Sequence, residues 1–330
     1  EMTKLMEKLI AGFPNDIKTS ISHNQHLSDF ELKPFNSVLI TGLGGSGIGG
    51  TIVSELLSDS CSFPIVINKN YRVPAWVGED TLVVVCSYSG NTEETLAAAK
   101  QAKSQGAQLA AVTSGGALLK QAQSEKLPLV QLPSGYPPRA AFGHGLVCLT
   151  ALLAACGVTT WKPEMFLGAV DLLNERMPQI RSKAEQWAKT LNGRVPVIYA
   201  AEGLGGVAVR WRQQINENGK MLCWHHVLPE MNHNELVGWA GGDDRFAAII
   251  LRSPDDHPRT ALRMDLSKEI ISKQTDVVLE AEAAGSNRIE RMYHLIALGD
   301  WLSYYLSIER GVDPVEVDVI THLKSELAKN

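Results

Sequence analysis

The sequence is poor in cysteine and has no long uninterrupted apolar run, and each shortage excludes a class of protein. Five cysteines occur in 330 residues. Their number is odd and none are spaced as CxxC, so neither a disulfide framework nor a zinc knuckle is predicted. The longest apolar stretch, residues 146–158, is too short to cross a bilayer. The first ten residues alternate charged and apolar side chains, unlike a secretion signal. We therefore expect a soluble cytoplasmic protein that does not bind a membrane.

An excess of positive charge is also missing. The formal net charge is −5 and the isoelectric point is near 6.0, which argues against a nucleic-acid partner. A small anionic substrate stays open, because a local pocket can be positive on an acidic protein. The hydrophobic share of 45% is ordinary for a globular protein, and 330 residues suffice for two domains.

Short apolar runs that alternate with helical segments predict an α/β fold. After entry helices in residues 1–36, we expect strands at residues 37–41, 65–68, 82–86, 109–113 and 127–132. A glycine-rich turn at 42–50 precedes a predicted helix at 51–57, and an apolar helix is predicted at 140–156. Strands joined by helices in this way are typical of a doubly wound parallel sheet.

The second half repeats the first. The segment VLITGLGGS at 38–46 has a degenerate echo in VIYAAEGLGG at 197–206. Further strands are predicted at 246–252 and 277–281, and helices at 289–310 and 314–329. We expect two doubly wound parallel-sheet subdomains, each a three-layer αβα unit, related by internal duplication. The predicted division is 1–158, a helical linker at 159–194 with helices at 165–174 and 180–191, and 195–330.

The most informative stretch is residues 82–103, LVVVCSYSGNTEETLAAAKQAK, where a buried strand runs into a loop and then a helix. Ser87, Ser89 and Thr92 supply three hydroxyls beside Gly90. Small hydroxyls and free backbone N–H groups at a helix N-terminus form an anion site that suits a phosphate monoester. An ordinary helix cap is the alternative, since a capping Ser or Thr needs no ligand. Three hydroxyls exceed that need and favour phosphate.

Residues 42–47, GLGGSG, match the GxGxxG pattern of dinucleotide sites. That pattern also needs an acidic residue at the end of the next strand, where Asn68 and Lys69 stand, and no P-loop lysine follows the glycines. Ser46, flanked by Gly45 and Gly47, is therefore interpreted as a second phosphate or sugar contact. It would lie beside residues 87–92, called here the serine loop. The alternative is a tight turn that lets the helix approach the sheet.

Three charged residues outside these loops are candidates for chemistry. Glu217 falls at the predicted end of a helix, far from the stabilising end of the dipole, which would raise its proton affinity and suit a base. A solvated helix C-terminus ended by Gly219 is the alternative. Arg139 follows two prolines and is placed to stabilise an oxyanion or a phosphate, unless it is a surface arginine paired with a carboxylate. Lys324 lies among mostly polar neighbours in THLKSEL, and its spacing alone is typical of a solvent-exposed lysine on a helix.

Residues 224–235, WHHVLPEMNHNE, concentrate histidines and carboxylates in a predicted loop: His225, His226, His233, Glu230 and Glu235. The loop lacks HExxH and a helical i, i+4 pair, so a zinc site is disfavoured, and we expect neither a metal nor a cofactor. The other interpretation is a catalytic loop in which one histidine acts as an acid or base near neutral pH.

Together these stretches resemble the sugar isomerase (SIS) domain family, and within it the bifunctional phosphoglucose/phosphomannose isomerases. The resemblance covers essentially the whole chain. It rests on the glycine loop at 42–50, SYSGNTEET at 87–95, PR at 138–139, ENGK at 217–220, PEMNHNE at 229–235, and GVDP at 311–314 leading to LK at 323–324. The serine loop is diagnostic only of the SIS fold. The ordered set of arginine, Glu-x-Gly-Lys, His-Asn-Glu and terminal Leu-Lys is more specific.

The resemblance implies a metal-independent aldose–ketose isomerase that interconverts fructose 6-phosphate with glucose 6-phosphate and mannose 6-phosphate through a cis-enediolate. Glu217 would move a proton between C1 and C2, and Arg139 would stabilise the enediolate. His233 and Lys324 would assist ring opening, with the histidine supplied by the partner subunit of a homodimer. The 6-phosphate would be bound by four hydroxyls, those of Ser46, Ser87, Ser89 and Thr92.

Three other classes of protein share parts of this sequence pattern. A SIS-type regulator would only bind a sugar phosphate, but such proteins usually add a helix-turn-helix segment, and none is predicted in residues 1–36. A glucosamine 6-phosphate-forming amidotransferase would need an N-terminal cysteine nucleophile. A nicotinamide dehydrogenase fits the glycine pattern but leaves Glu217 and His233 without roles. His144 is interpreted as a satisfied core group, and DDH at 255–257 has no assigned role.

Overall fold

Two parallel β-sheets organise the protein in a computed structural model that describes residues 2–330. The first sheet contains β1 (Ser37–Thr41), β2 (Ile65–Asn68), β3 (Thr81–Ser87), β4 (Gln108–Thr113) and β5 (Leu129–Gln131), in the order β2-β1-β3-β4-β5. The second contains β6 (Val195–Ala201), β7 (Trp224–Leu228), β8 (Phe246–Arg252) and β9 (Val278–Glu282), in the order β7-β6-β8-β9. All neighbouring strands run parallel.

Helices cover both faces of each sheet. The first half contains α1 (Met2–Ala11), α2 (Phe13–Asn24), α3 (Gly44–Leu57), α4 (Glu93–Ser104), α5 (Gly116–Ser124) and α6 (Phe142–Ala155). The long helix α7 (Pro163–Leu191) leads to the second half, which contains α8 (Gly205–Gly219), α9 (Glu235–Gly238), α10 (Pro258–Ile271), α11 (Arg288–Arg310) and α12 (Asp318–Leu327). Single 3-10 turns form at Pro138–Ala141, Glu230–His233 and Trp239–Gly241.

The two sheets have matching topology. The order β2-β1-β3-β4 of the first sheet corresponds to β7-β6-β8-β9 of the second, and β5 is an addition to the first. Helix α3 connects β1 to its neighbour β2 just as α8 connects β6 to β7. The predicted α/β fold of two duplicated, doubly wound parallel sheets is therefore confirmed.

The helices between the sheets form one shared core. The outer face of the first sheet packs on α4 and α5, and the outer face of the second packs on α10. The inner faces of both sheets join a single buried cluster with α3, α6, α7, α8 and α11. Because α3 packs against α8, the helix after the first glycine loop is held directly against its counterpart in the other half. The predicted division into 1–158, 159–194 and 195–330 stays a prediction.

Helix starts and breaks account for two differences from the sequence-based predictions. The predicted turn at 42–50 is largely helical, because α3 begins at Gly44. A Cβ on Gly47 would lie 2.4 Å from the Gly42 carbonyl oxygen, so glycine allows the first helical turn to pack on the strand end. The predicted pair of helices at 165–174 and 180–191 is one 29-residue helix that continues through Pro178. Its buried side chains pack against α11 on both sides of the proline, which outweighs the lost backbone hydrogen bond.

Two other segments also differ. Residues 224–228, predicted as loop, form the edge strand β7, and the terminal helix is α12 at 318–327 rather than 314–329. The segment Pro138–Ala155, which ends with α6, has the length and mean hydropathy of a membrane span. However, 72% of it is buried inside the fold. His144 within it is buried and pairs with Ser20 (2.6 Å) and Asp16 (3.3 Å), as expected of a core group.

Candidate active site

The serine loop lies at the carboxyl end of β3, in the middle of the first sheet. Ser87 and Thr92 hydrogen-bond to each other through their hydroxyls at 2.8 Å, and the Gly90 N–H donates to the Ser87 hydroxyl at 3.0 Å. The Asn91 N–H donates to the Ser89 hydroxyl at 3.2 Å. The loop's own hydroxyls thus hold its conformation. Helix α4 begins directly after Thr92 and directs its unpaired N–H groups toward the loop.

Ser46 faces this loop from the first turn of α3. Its hydroxyl accepts the Tyr88 N–H at 2.9 Å, so the Ser46 O–H proton remains free to donate. The same holds for Ser89, whose oxygen accepts from backbone, and for one member of the Ser87–Thr92 pair, because only one hydroxyl proton lies between the two oxygens. Three hydroxyl donors and one helix N-terminus therefore converge, which is the chemistry of a phosphate cradle.

Arg139 reaches this region because the 3-10 turn Pro138–Ala141 packs on the start of α3. The backbone nitrogen of Arg139 lies 2.6 Å from the position of a Cβ on Gly45. Gly45 and Gly47 thus act through the absence of a side chain, since each lets another backbone segment approach α3. The turn directs the Arg139 side chain toward the end of α8.

The Arg139 guanidinium is almost fully buried, at 3% exposure. Its Nε donates to Asn218 Oδ1 at 2.8 Å, and its Nη2 donates to the carbonyl oxygens of Pro314 (2.7 Å) and Val315 (3.2 Å). Its Nη1 lies 3.7 Å from Glu217 Oε1. Burial lowers the pKa of Arg139, and the nearby Glu217 carboxylate opposes that shift. Three of five N–H groups are used structurally, and the two on Nη1 remain available beside Glu217.

Glu217 stands in the last turn of α8 with its side chain 27% exposed. Lys220 ends this helix in a left-handed conformation, with φ of 52°. Its Nζ donates to the carbonyl oxygens of Glu217 and Asp313, both at 2.6 Å, and burial lowers the pKa of Lys220. Lys220 and Arg139 together bind the backbone of residues 313–315 to the end of α8.

Two of the predicted site residues, within residues 2–330, make no hydrogen bond to this group. His233 is exposed in the 3-10 turn that follows the carboxyl end of β7, and Lys324 is exposed in α12, which buries no side chain. Helix α8 starts at the carboxyl end of β6, and its axis rises about 18 Å from Gly205 to Glu217. Glu217 and His233 of one chain therefore lie at opposite ends of the second sheet. Within residues 2–330, neither the His233 nor the Lys324 side chain hydrogen-bonds to Arg139 or Glu217.

The neighbouring histidines lie on a strand and make local contacts. His225 accepts from Arg212 Nε at 3.1 Å, and burial, reinforced by that cation, lowers the pKa of His225 to about 4. It is therefore neutral near pH 7. His226 accepts the Val227 N–H at 2.8 Å. Across residues 2–330, no three His, Cys, Asp or Glu side chains lie together as potential metal ligands.

The acidic loop at 253–257 has a structural role. The Ser253 N–H donates to Asp256 Oδ2 at 3.0 Å, and Asp255 pairs with Arg291 at 2.9 Å. His257 caps α10 by accepting the Arg259 N–H at 3.1 Å. This loop corresponds in topology to the serine loop, but its side chains are engaged in internal contacts.

Comparisons with known proteins agree with this duplicated architecture. A family model described as "SIS domain" matches residues 32–127, and one described as "Bacterial phospho-glucose isomerase C-terminal SIS domain" matches residues 180–327. Among solved structures, the C-terminal domain of glucosamine-fructose-6-phosphate aminotransferase from Francisella tularensis superimposes with a TM-score of 0.77 at 15% identity, over 94% of this chain and 98% of that chain. The chain is thus a protein of two SIS domains.

Sequence similarity narrows this class. The bifunctional phosphoglucose/phosphomannose isomerase of Caldicellulosiruptor bescii is 34% identical over 336 aligned residues, 98% of this chain and 99% of the relative. The D-glucosamine-6-phosphate 4-epimerase of Sulfolobus acidocaldarius is 32% identical, but over only 70% of this chain and 73% of its own length. The chain belongs to the family of bifunctional phosphoglucose/phosphomannose isomerases.

Proposed function

We propose that this protein is an aldose–ketose isomerase that interconverts fructose 6-phosphate with glucose 6-phosphate and mannose 6-phosphate. The observation that carries the proposal is the pairing of Glu217 with the buried Arg139 at 3.7 Å, on a turn whose Pro138 lines the same cavity as Ser46 and Ser87. A carboxylate beside a fixed cation is what proton transfer next to a carbonyl requires. The full-length similarity to isomerases with both activities supports the same reaction.

The phosphate group anchors the substrate. The free hydroxyl protons of Ser46, Ser89 and the Ser87–Thr92 pair, with the N-terminus of α4, bind the 6-phosphate. Binding energy from this remote group holds the opened sugar in register with Glu217. The phosphate does not take part in bond changes, so it serves substrates that differ only at C1 and C2.

Proton transfer then runs between C2 and C1. The Glu217 carboxylate removes the C2 proton of the open-chain aldose, and the C–H electrons form the C1–C2 double bond while the carbonyl π electrons move to O1. The Nη1 of Arg139 stabilises the resulting oxyanion of the cis-enediolate. A proton then passes from O2 to O1, and delivery of a proton to C1, as the O2 electrons form the C2 carbonyl, gives fructose 6-phosphate. Delivery of a proton to either face of C2, as the O1 electrons form the C1 carbonyl again, gives glucose 6-phosphate or mannose 6-phosphate.

Ring opening is assigned to His233 and Lys324, with the histidine donated across a homodimer interface. Helix α8 separates Glu217 from the end of the second sheet where His233 lies. This separation supports a histidine supplied by the partner subunit, because His233 is too far away to act together with the Glu217 of its own chain. Helix α12, which carries Lys324, begins shortly after the residues that Arg139 and Lys220 bind. We place the enzyme in the cytoplasm, and its five free cysteines, four of them buried, support a reducing compartment.

The two-product assay tests this proposal. Purified protein is incubated with fructose 6-phosphate and EDTA, and glucose 6-phosphate and mannose 6-phosphate are measured separately. Both products are expected. A protein that binds the sugar phosphate without converting it would be a regulator, and this result would overturn the proposal. Glucosamine 6-phosphate is assayed in parallel to test for the reaction of the 4-epimerase relative.

A further inference from the structure

The buried amide of Asn218 lies between the catalytic region and the core. Asn218 is 0% exposed, and both ends of its side chain are engaged. Its Oδ1 accepts from Arg139 Nε at 2.8 Å, and its Nδ2 donates to the Ser303 hydroxyl at 3.0 Å. The Ser303 hydroxyl in turn donates to the Asp300 carbonyl at 2.7 Å. Because its only proton is used there, Ser303 accepts from Asn218 Nδ2, while the Arg139 Nε–H, which can only donate, by itself keeps the amide oxygen facing Arg139.

Asn218 holds the Nε donor of Arg139, whereas backbone carbonyls hold its Nη2 group. The Pro314 and Val315 carbonyls both bind Nη2, and two contacts at one end leave the guanidinium free to tilt. The bond from Nε to Asn218 adds a second point of attachment and defines the plane of the group. Within residues 2–330, no other side chain accepts from this nitrogen. With the plane fixed, Nη1 is directed toward Glu217.

We propose that Asn218 is a positioning residue for the isomerase: it holds the Arg139 guanidinium so that Nη1 faces the reacting carbons beside Glu217. The inference rests on the proposed function and adds to it. Asn218 follows Glu217 directly in the last turn of α8. One helical turn therefore carries both the proposed base, Glu217, and the residue that orients Arg139. A displacement of that turn would move Glu217 and, through Asn218, the Arg139 guanidinium together, which would preserve the distance between Glu217 and Arg139.

The test separates this role from ordinary core stabilisation. Asn218→Ala removes the acceptor for Nε, whereas Ser303→Ala removes the other hydrogen bond of the same amide and leaves the Arg139 bond intact. For Asn218→Ala we expect kcat to fall about 10- to 100-fold, because misplacement of a catalytic group by about 1 Å costs that much. The KM and the inhibition constant of inorganic phosphate are expected to change less than about 3-fold, because the phosphate contacts remain. For Ser303→Ala we expect lower thermal stability and a kcat within about 3-fold of wild type.

A second readout follows the chemical step. Exchange of the substrate C1 and C2 hydrogens with solvent is expected to slow in Asn218→Ala by the same factor as kcat, because Arg139 acts on proton transfer. If Asn218→Ala does not fold, Asn218→Ser replaces it, since its hydroxyl is too short to reach Arg139 Nε and predicts the same loss.

The outcomes are distinct. Wild-type protein that fails to isomerise fructose 6-phosphate would overturn the proposed function itself. If the wild type is active, an Asn218 variant whose kcat stays within about 3-fold overturns the positioning role. Equal losses of kcat in the Asn218 and Ser303 variants overturn it as well, because the loss would then follow core stability rather than the bond to Arg139.

Discussion

The backbone of Gly45 lies directly against the backbone of Arg139. A Cβ on residue 45 would stand 2.6 Å from the Arg139 nitrogen and 2.8 Å from its Cα, distances at which something must move. Gly45 belongs to the first turn of α3, where Ser46 faces the serine loop, whereas Arg139 belongs to the turn that leads into α6. The absence of a side chain at Gly45 therefore sets the distance between the helix that carries Ser46 and the turn that carries Arg139.

Gly45→Ala is expected to displace the 3-10 turn and Arg139 with it. We expect the free energy of unfolding to fall by about 1–3 kcal/mol from overpacking, together with a loss of kcat. The matched control is Gly49→Ala in the same helix, where a Cβ would meet only Leu149 Cδ2 at an ordinary 3.7 Å. Chemical denaturation and steady-state kinetics measure both variants. Equal behaviour of the two variants would contradict the close contact.

Ser87→Ala is expected to weaken phosphate binding. The substitution removes the acceptor for the Gly90 N–H and the partner of Thr92, so the loop loses both its shape and a donor. We expect KM for fructose 6-phosphate and the inhibition constant of inorganic phosphate to rise together by about 10-fold, the effect of roughly one hydrogen bond to a charged group. Ser104→Ala, at the far end of α4 where the hydroxyl bonds only to Gln101, is the control. A normal phosphate affinity in Ser87→Ala would exclude the serine loop as the anchor.

Mixed dimers of Glu217→Gln and His233→Ala chains are expected to regain activity. If His233 serves the partner subunit, each mixed dimer contains one site with both residues intact. Random pairing then yields about one quarter of wild-type activity, while each variant alone is inactive. Coexpression with two affinity tags measures this. If Glu217 and His233 act within one chain, the mixture stays inactive.

Glu55 is expected to make stability depend on pH. Its Oε1 accepts the Gly206 N–H at 2.7 Å, so this α3 side chain caps α8 of the other half. Burial raises the pKa of Glu55 from 4.5 to about 7, with Glu202 adding to the rise while the Gly206 bond and Arg288 oppose it. An acid with a raised pKa binds more protons in the folded chain, so its contribution to stability is lost as the pH rises from about 4.5 through about 7.

The matched variant is Glu55→Gln, which keeps an oxygen acceptor for Gly206 and removes the titration. We expect wild type to lose up to about 3 kcal/mol of unfolding free energy between pH 5 and pH 8 relative to this variant. Urea unfolding at both pH values measures the difference. Parallel pH profiles of the two proteins would show that Glu55 does not titrate with folding.

Most strands could be predicted because parallel strands buried on both faces are continuous apolar runs, as in β3. The edge strand β7 could not, since two histidines interrupt its short apolar sequence WHHVL and only Leu228 is buried. The start of α3 was missed because glycine has a low helix propensity, and its value there lies in a close approach that only the fold reveals. Helix α7 was predicted as two pieces, 165–174 and 180–191, because the contacts with α11 that hold it together are not visible in sequence.

The candidate site also contains residues that could be predicted from the sequence and residues that could not. Local patterns indicated Ser46, Ser87, Arg139 and Glu217 as candidates. The groups that orient Arg139 were not predicted, because Asn218 is 79 positions away and the Pro314 carbonyl 175 positions away. No local signal marks such contacts, since they depend on how the two halves pack.

Turnover of fructose 6-phosphate in D2O tests proton transfer by Glu217 most directly. We expect deuterium at C2 of both glucose 6-phosphate and mannose 6-phosphate, since the enediolate is protonated there by a group that exchanges with solvent. Glu217→Gln is expected to reduce formation of both products by about 100- to 10,000-fold, while fructose 6-phosphate still raises its melting temperature. Near-normal turnover by Glu217→Gln would contradict the assignment.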